Sequence, residues 1–93
     1  MYQEPMETLT PAAADMHRAI KSLMEELEAV DYYNQRADVC NDPELLAILV
    51  HNGNEEKEHA SMLLEWIRRR DANFAHELKD NLFRDGPIAG QHK

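Results

Sequence analysis

Two stripes of residues, spaced alternately three and four apart, run through most of this 93-residue chain and constrain its fold more than any other feature. The first stripe comprises Met16, Ala19, Leu23, Glu26, Val30, Tyr33, Ala37 and Cys40. The second comprises Leu45, Leu49, Asn52, Glu56, His59, Leu63 and Trp66. This spacing places each set on the face of a helix that packs against partner helices in a bundle. The sequence therefore predicts an all-α protein built on two long helices.

Local signals set the predicted ends of these helices. Thr10-Pro11 is a capping residue followed by proline at the first helical position, and Asp42-Pro43 repeats the signal after a short break. So short a connection predicts that the two helices are antiparallel neighbours. The single domain, 1–93, then consists of an arm at 1–10, helix one at 11–40, helix two at 43–70, helix three at 72–84 and a tail at 85–93.

One dipeptide, Asn52-Gly53, argues against a continuous second helix because it is common in turns. The second stripe nevertheless keeps its phase across the glycine. A glycine in the middle of a helix costs only about 1 kcal/mol relative to alanine. We therefore predict one uninterrupted helix.

Composition and charge exclude several classes of protein. No apolar run approaches the roughly 20 residues of a membrane span, and the first residues lack the pattern of a signal peptide. The formal net charge of −8 disfavours nucleic acid as a partner. A single cysteine, Cys40, permits no internal disulfide, which fits a reducing cytoplasm.

Three ionisable side chains occupy stripe positions where apolar ones belong, namely Glu26, Glu56 and His59. Burial of an unpaired carboxylate is unfavourable by several kcal/mol, and no Lys or Arg shares the middle of either stripe to offset it. A metal ion bound by all three side chains removes this conflict. Carboxylates combined with one imidazole per centre suit iron or manganese, and suit zinc less well.

The spacing Glu56-x-x-His59 puts two metal ligands on one helix face. Carboxylate-bridged di-iron bundles combine two such pairs with two further glutamates. This chain has one pair and one further glutamate, Glu26, so it carries half of such a site. A second copy related by a two-fold axis would complete the site and cover the apolar surface of the hairpin. We therefore expect a homodimer that forms a four-helix bundle.

Other interpretations stay open at this point. The protein could be a non-catalytic metal-binding or structural oligomer that holds zinc or calcium. It could also be a mononuclear zinc hydrolase that uses His51, Glu55 and His59, which are spaced four and four. Since His51 and Glu55 lie off the stripe, we rank this arrangement lower.

The residues around Glu26 also have two interpretations each. Glu25 and Glu28 share another face of the helix, where they form either a solvated acidic surface or an entrance that collects cations. Tyr33 is either a core aromatic whose hydroxyl finds a partner or a residue that acts beside the metal site.

The chain resembles the encapsulated ferritins over nearly all of residues 15–88. The stretches that carry the resemblance are His17–Ile20, Met24–Asp31, Asp42–Leu45, His51-Asn52, Glu55–Ala60, Leu64–Arg69 and Gly86–Ile88. The resemblance implies a two-helix half-ferritin whose ferroxidase centre forms only between two chains. It also implies a ring of such dimers, usually a decamer, held inside an encapsulin shell. There the protein would oxidise Fe(II) and deliver iron to storage.

The resemblance also implies roles for individual residues. The metal ligands and the neighbouring catalytic tyrosine fall on Glu26, Glu56, His59 and Tyr33. The metal-entrance residues fall on Glu25, Glu28 and Tyr32, where Tyr32 replaces the tryptophan of other members. Iron is the expected metal, with calcium or zinc as further candidates at the entrance or at the ferroxidase centre. Members of that family usually dock to their shell through a C-terminal extension, and whether one follows Lys93 in this protein stays open.

Overall fold

The computed structural model describes residues 2–90, which form three α-helices after one short 3₁₀ turn. The 3₁₀ turn spans Met6–Thr8, α1 spans Pro11–Val39, α2 spans Pro43–Arg70 and α3 spans Ala72–Asn81. The described residues contain no strand, so the predicted all-α class is confirmed. Residue 1 of the predicted arm and residues 91–93 of the predicted tail lie outside the described residues.

Capping side chains begin all three helices. The side chains of Thr10 and Asp42 accept hydrogen bonds, at 3.1 and 2.8 Å, from the backbone N–H three residues further on. Asp71 does the same for α3 at 2.9 Å. These bonds satisfy N–H groups that have no partner within the helix. α2 runs through Gly53 without interruption.

The end of α3 differs from the sequence prediction. The helix ends at Asn81, three residues before the predicted end at 84. Phe83 has a positive φ of 56°, which lies in the left-handed region that a right-handed helix cannot use. α1 ends at Val39, one residue before its predicted end.

The contact between α1 and α2 runs along small and apolar residues. On α2 the buried positions are Gly53, Ala60 and Ile67. Each of these follows directly after a member of the predicted stripe, so α2 is rotated relative to the prediction. The stripe itself is half-buried, apart from its first member, Leu45, which is exposed. One side of the stripe faces α1, and the other side stays open for a partner.

A single chain leaves a large surface uncovered. Its accessible surface is 7412 Å², whereas a compact monomer of 10.8 kDa exposes about 5,500 Å². Its radius of gyration is 17.1 Å, compared with about 12 Å for a compact domain of this length. The large apolar side chains that are exposed include Ile20, Met24, Leu27, Val39, Leu45, Ile48, Val50, Met62, Leu82, Phe83 and Ile88. None of the helices in residues 2–90 has the length and hydropathy that crossing a membrane requires.

Candidate metal centre

Glu26, Glu56 and His59 meet halfway along the hairpin. Glu26 lies in the middle of α1, and the other two lie one turn apart in the middle of α2. Glu26 and Glu56 are each fifteen residues from Asn41 in the connection, so the antiparallel helices bring them to the same level. One potential ligand atom from each residue lies within 4.8 Å of the other two. In residues 2–90 this is the one group of three or more such side chains that is close enough to share an ion.

The imidazole of His59 faces both carboxylates. Its Nδ1 atom lies 3.0 Å from Oε1 of Glu56 and 3.5 Å from Oε1 of Glu26. The side chains of Glu26 and Glu56 are 27% and 24% exposed, and that of His59 is 43% exposed. The cluster therefore sits at the open edge of the contact between the helices, where an ion or a second chain can reach it.

The three groups shift one another's pKa. A hydrogen bond with Glu56, together with partial burial, raises the pKa of Glu26. The same hydrogen bond, followed by one with His59, lowers the pKa of Glu56. The hydrogen bond to Glu56 also raises the pKa of His59. Within the cluster, these shifts make Glu26 and His59 harder to deprotonate and make Glu56 easier to ionise.

The donor set fits a transition-metal ion better than an internal ion pair. Among the ion pairs of residues 2–90, His59 is the one cation that contacts Glu26 or Glu56. Two carboxylates and one imidazole match the preferences of iron, manganese and zinc. Three side chains also leave coordination positions open. A symmetric pair of chains would offer four carboxylates and two imidazoles, which is the complement of a di-iron bundle.

Tyr33 lies outside this cluster but beside the helix contact that supports it. A Cβ atom added to Gly53 would lie 3.2 Å from Cβ of Tyr33, so the two helices approach closely here. Gly53 is one turn before Glu56 along α2. The guanidinium carbon of Arg36 lies 5.3 Å from the centre of the Tyr33 ring. Helix propensity accounts only for the cost of Gly53 within its own helix, and the stripe pattern gives no sign of this close approach.

The three predicted entrance residues, Glu25, Glu28 and Tyr32, lie on an exposed face of α1 and contribute no potential ligand atom to the cluster. The hydroxyl of Tyr32 donates a hydrogen bond of 3.0 Å to Oε2 of Glu28. This bond and the carboxylate charge raise the pKa of Tyr32, because both disfavour the phenolate. Glu25 and Glu28 are exposed.

The rival zinc arrangement does not form. His51 and Glu55 are both exposed, and neither belongs to the group of side chains that could share an ion. Only His59 of that predicted trio contributes to the cluster. The structure therefore provides no mononuclear site built on these three residues.

A groove beside the cluster contains further residues that were not predicted as site residues. Its volume is about 660 Å³, and besides Glu26 and His59 it includes Arg18, Ser22 and Trp66. Ser22 is one helical turn before Glu26, and Trp66 is one heptad after His59. Trp66 belongs to the predicted stripe, whereas no sequence motif identifies the polar residues Arg18 and Ser22 as part of a site.

Charge is distributed unevenly around the site. Residues 25–58 contain ten acidic and two basic residues, and the other parts of the sequence contain eight of each. The whole formal net charge of −8 therefore lies in the half of the hairpin that ends in the turn and includes both carboxylates of the cluster. A surface of this sign attracts cations.

A helical hairpin with one glutamate on its first helix and a Glu-x-x-His pair on its second is half of a ferritin-like bundle. The EncFtn-like family model matches residues 1–85. The chain belongs to this family of encapsulated ferritin-like proteins, and the resemblance seen in the sequence is confirmed.

Individual relatives agree with this assignment. The chain is 60% identical over 85 residues to the encapsulated ferritin-like protein of Rhodospirillum rubrum. This match covers 91% of this chain and 61% of that protein. It is 47% identical over 87 residues to a ferritin-like protein of Thermotoga maritima, covering 94% of this chain and 76% of that protein. It is 32% identical over 80 residues to the encapsulin nanocompartment cargo protein EncC of Myxococcus xanthus, and the match covers 82% of this chain and 62% of that protein.

A solved structure supports the same fold. The crystal structure of protein ne0167 from Nitrosomonas europaea superposes with a TM-score of 0.92 at 65% sequence identity. The match covers 95% of this chain and 97% of that one. The two proteins therefore share the helical hairpin and its short third helix.

Proposed function

We propose that this protein is a ferroxidase whose di-iron centre forms between two copies of the chain. Fe(II) is the substrate, and Glu26, Glu56 and His59 of each copy hold it. The observation that carries this proposal is the cluster itself. Two carboxylates and an imidazole lie within 4.8 Å of one another, at the open edge of a hairpin that leaves much of its surface uncovered.

The half-site explains why a second copy is needed. One chain offers three ligand side chains, and a two-fold axis beside the cluster would double them. The open side of the α2 stripe carries Ile48, Met62 and Trp66, which are exposed or half-buried in the single chain. Pairing two hairpins across this face would bury those side chains and complete the site in one step.

The residues of the chain have distinct parts in the reaction. Glu56 would bridge the two ions, with Glu26 and His59 as terminal or shared ligands. Because a ligand atom must be deprotonated to hold a metal ion, Fe(II) would compete with protons for Glu26 and His59, the two groups whose pKa is raised. Two Fe(II) would then give up two electrons, which together with two protons reduce O2 to hydrogen peroxide or hydrogen peroxide to two waters, and Fe(III) would leave for storage. Tyr33, close to Gly53, would maintain the helix spacing beside Glu56 and act next to the centre.

We assign the approach of the ions to the acidic outer face of α1. Glu25 and Glu28 flank Glu26 there, and the hydrogen bond from Tyr32 holds Glu28 in place. The concentration of negative charge in residues 25–58 would draw Fe(II) toward the centre. Calcium or zinc could bind the same oxygen-rich surfaces.

Storage would take place inside an encapsulin shell. One relative is named an encapsulin nanocompartment cargo protein and another an encapsulated ferritin-like protein. By analogy, dimers of this chain would assemble into a ring, such as a decamer, within a nanocompartment in the cytoplasm. Fe(III) formed at the centre would pass to the lumen of the shell.

The direct test measures Fe(II) oxidation and bound metal in the parent and in Glu26→Ala, Glu56→Ala and His59→Ala. Each substitution removes two ligands from a symmetric centre, so we expect loss of tight iron binding and of oxidation. Glu44→Ala is the matched control, because it removes the same charge from an exposed residue of α2 that is about three turns from Glu56. Iron retained in Glu56→Ala would show that the ligand assignment is wrong.

A dilution series tests the need for two chains. If each chain holds half of the ligands, oxidation per chain falls at protein concentrations where the dimer dissociates. Full activity in a proven monomer would refute the half-site. Tight binding of zinc or calcium without consumption of O2 on addition of Fe(II) would instead favour the non-catalytic oligomer.

A further inference from the structure

Arg36 carries a positive charge in the most acidic part of the chain, yet none of the ion pairs in residues 2–90 includes it. Residues 25–58 contain ten acidic side chains and two basic ones, Arg36 and Lys57. Charge-assisted pairing with a carboxylate is the usual contact of an arginine in such surroundings. The guanidinium of Arg36 has a different set of contacts.

Arg36 contacts two tyrosine rings. Its guanidinium carbon lies 5.8 Å from the centre of the Tyr32 ring and 5.3 Å from the centre of the Tyr33 ring. The two tyrosines precede Arg36 by four and three residues on α1, so the three side chains are neighbours on the helix surface. A cation within about 6 Å of a ring centre is attracted by the electrons of the ring face. Arg36 therefore restrains the orientation of both rings.

This restraint matters more for Tyr33 than for Tyr32. The hydroxyl of Tyr32 is also held by Glu28, to which it donates a hydrogen bond of 3.0 Å. The hydroxyl of Tyr33 takes part in none of the side-chain hydrogen bonds of residues 2–90. α2 approaches only the base of the Tyr33 side chain, at Gly53. Within the described part of the chain, the contact with a polar group that orients the Tyr33 ring is thus the one with Arg36.

We propose that Arg36 is a positioning residue that holds the ring of Tyr33 in the orientation that serves the metal centre. The inference rests on the proposed function in one respect, namely that Tyr33 acts next to the centre. Arginine suits this task on a surface that attracts Fe(II). Its guanidinium keeps its charge at physiological pH and has no lone pair to offer a metal ion, so neither a change in pH nor Fe(II) removes it from the rings. A carboxylate or an imidazole in the same place would bind the passing ions.

Replacing Arg36 by glutamine has two opposite consequences for the reaction. Loss of a contact of this kind changes the balance between held and released ring orientations by about two- to fivefold, so the rate at saturating Fe(II) should fall about twofold. Loss of the positive charge instead favours the approach of Fe(II). Arg36 is ten residues from Glu26, or about 15 Å along the helix axis. At that distance, one charge changes the rate at low Fe(II) about 1.8-fold at 0.01 M salt and less than about 1.2-fold at physiological salt.

Fluorine NMR of the iron-free protein tests the contact directly. Arg36 is exposed, and glutamine forms helices nearly as well as arginine, so Arg36→Gln should keep the fold. The chain contains three tyrosines, so labelling with 3-fluorotyrosine gives three signals, which Tyr32→Phe and Tyr33→Phe assign. In Arg36→Gln we expect slower transverse relaxation of the Tyr33 signal, because its ring moves more freely. The signal of Tyr32 should change less, and that of Tyr2, in the N-terminal arm, should not change.

Two further variants separate the positioning of the ring from the effect of charge. Arg36→Lys keeps a cation at the same position and should retain most of the restraint on Tyr33. Lys21→Gln removes the same charge from another exposed residue of α1, which lies over no aromatic ring in residues 2–90. It should leave all three signals at their parent values. Parent-like relaxation of Tyr33 in Arg36→Gln, or an equal change in Lys21→Gln, would overturn the proposal.

Rates of Fe(II) oxidation connect this contact to the reaction. For Arg36→Gln we expect a lower rate at saturating Fe(II) together with a higher rate at low Fe(II) in about 0.01 M salt, whereas Lys21→Gln should show only the increase. A general loss of structure would lower both rates. An unchanged saturating rate in Arg36→Gln would overturn the role of Arg36 in the reaction. If the parent oxidised no Fe(II), the ferroxidase proposal would fail, and the fluorine signals of the iron-free protein would still decide whether Arg36 positions Tyr33.

Discussion

Neutralising Glu25 and Glu28 together should slow the arrival of Fe(II) without removing its binding site. Both carboxylates are exposed, and neither supplies a ligand atom of the cluster. The double variant Glu25→Gln/Glu28→Gln therefore tests attraction at a distance separately from coordination.

The size of the effect follows from the two charges. At about 10 Å in water, Fe²⁺ and two carboxylates attract each other by about 1.7 kcal/mol before screening. Screening over about 8 Å at physiological ionic strength reduces this to about 0.5 kcal/mol, and over about 30 Å at 0.01 M it stays near about 1.2 kcal/mol. We therefore expect the initial oxidation rate at low Fe(II) to fall about twofold at physiological salt and about eightfold at low salt.

The control is Glu4→Gln/Glu7→Gln, which removes two charges from the exposed N-terminal arm, in the part of the chain that has no net charge. Stopped-flow measurement of Fe(II) oxidation at both salt concentrations, with iron occupancy checked by structure, gives the comparison. Equal rates and equal salt dependence in the parent and the Glu25/Glu28 variant would refute steering by these residues. Loss of iron from the cluster would show that they are ligands rather than an entrance.

Three further outcomes are expected. Gly53→Ala should raise the free energy of unfolding in urea by about 0.7 kcal/mol at fixed protein concentration. Alanine gains about 1 kcal/mol in helix propensity, whereas its Cβ atom, 3.2 Å from Cβ of Tyr33, meets a repulsion of roughly 0.3 kcal/mol. A loss of stability would mean that the two helices cannot move apart enough to accept the added methyl group. Arg68 and Arg69 lower the pKa of Glu65 from 4.5 to about 2, so the stability that these ion pairs contribute is present above pH 4.5 and is lost as pH falls through about 2. Glu65→Gln should therefore make the free energy of unfolding depend less on pH across this window. An unchanged pH dependence would contradict this. Glu28→Gln should lower the pKa of Tyr32 in an absorbance titration, because the hydrogen bond and the charge that disfavour the phenolate are weakened; an unshifted titration would count against the bond.

Much of the candidate site was predictable from the sequence because it depends on local rules. Glu56 and His59 share a helix face by their spacing alone. The capped prolines at Pro11 and Pro43 mark where α1 and α2 begin, and the short connection between the helices sets their register. Glu26 and Glu56 lie at equal distances from that connection, so antiparallel packing brings them together. These features need only helix geometry and chain length, which do not depend on the details of packing.

The tertiary structure decided what depends on how surfaces fit. Periodicity defines a stripe only to within about one residue, and the close approach at Gly53 rotates α2 so that Gly53, Ala60 and Ile67 become buried. One side of the stripe is thereby left open beside the cluster of Glu26, Glu56 and His59. The early end of α3 reflects an extended backbone at Leu82 followed by a left-handed backbone at Phe83, and no side-chain pattern announces either. The sequence by itself determined the helices and the candidate ligand residues, because these depend on local spacing and on the number of residues between them. Only the tertiary structure determined which faces remain uncovered, because that depends on contacts between distant segments.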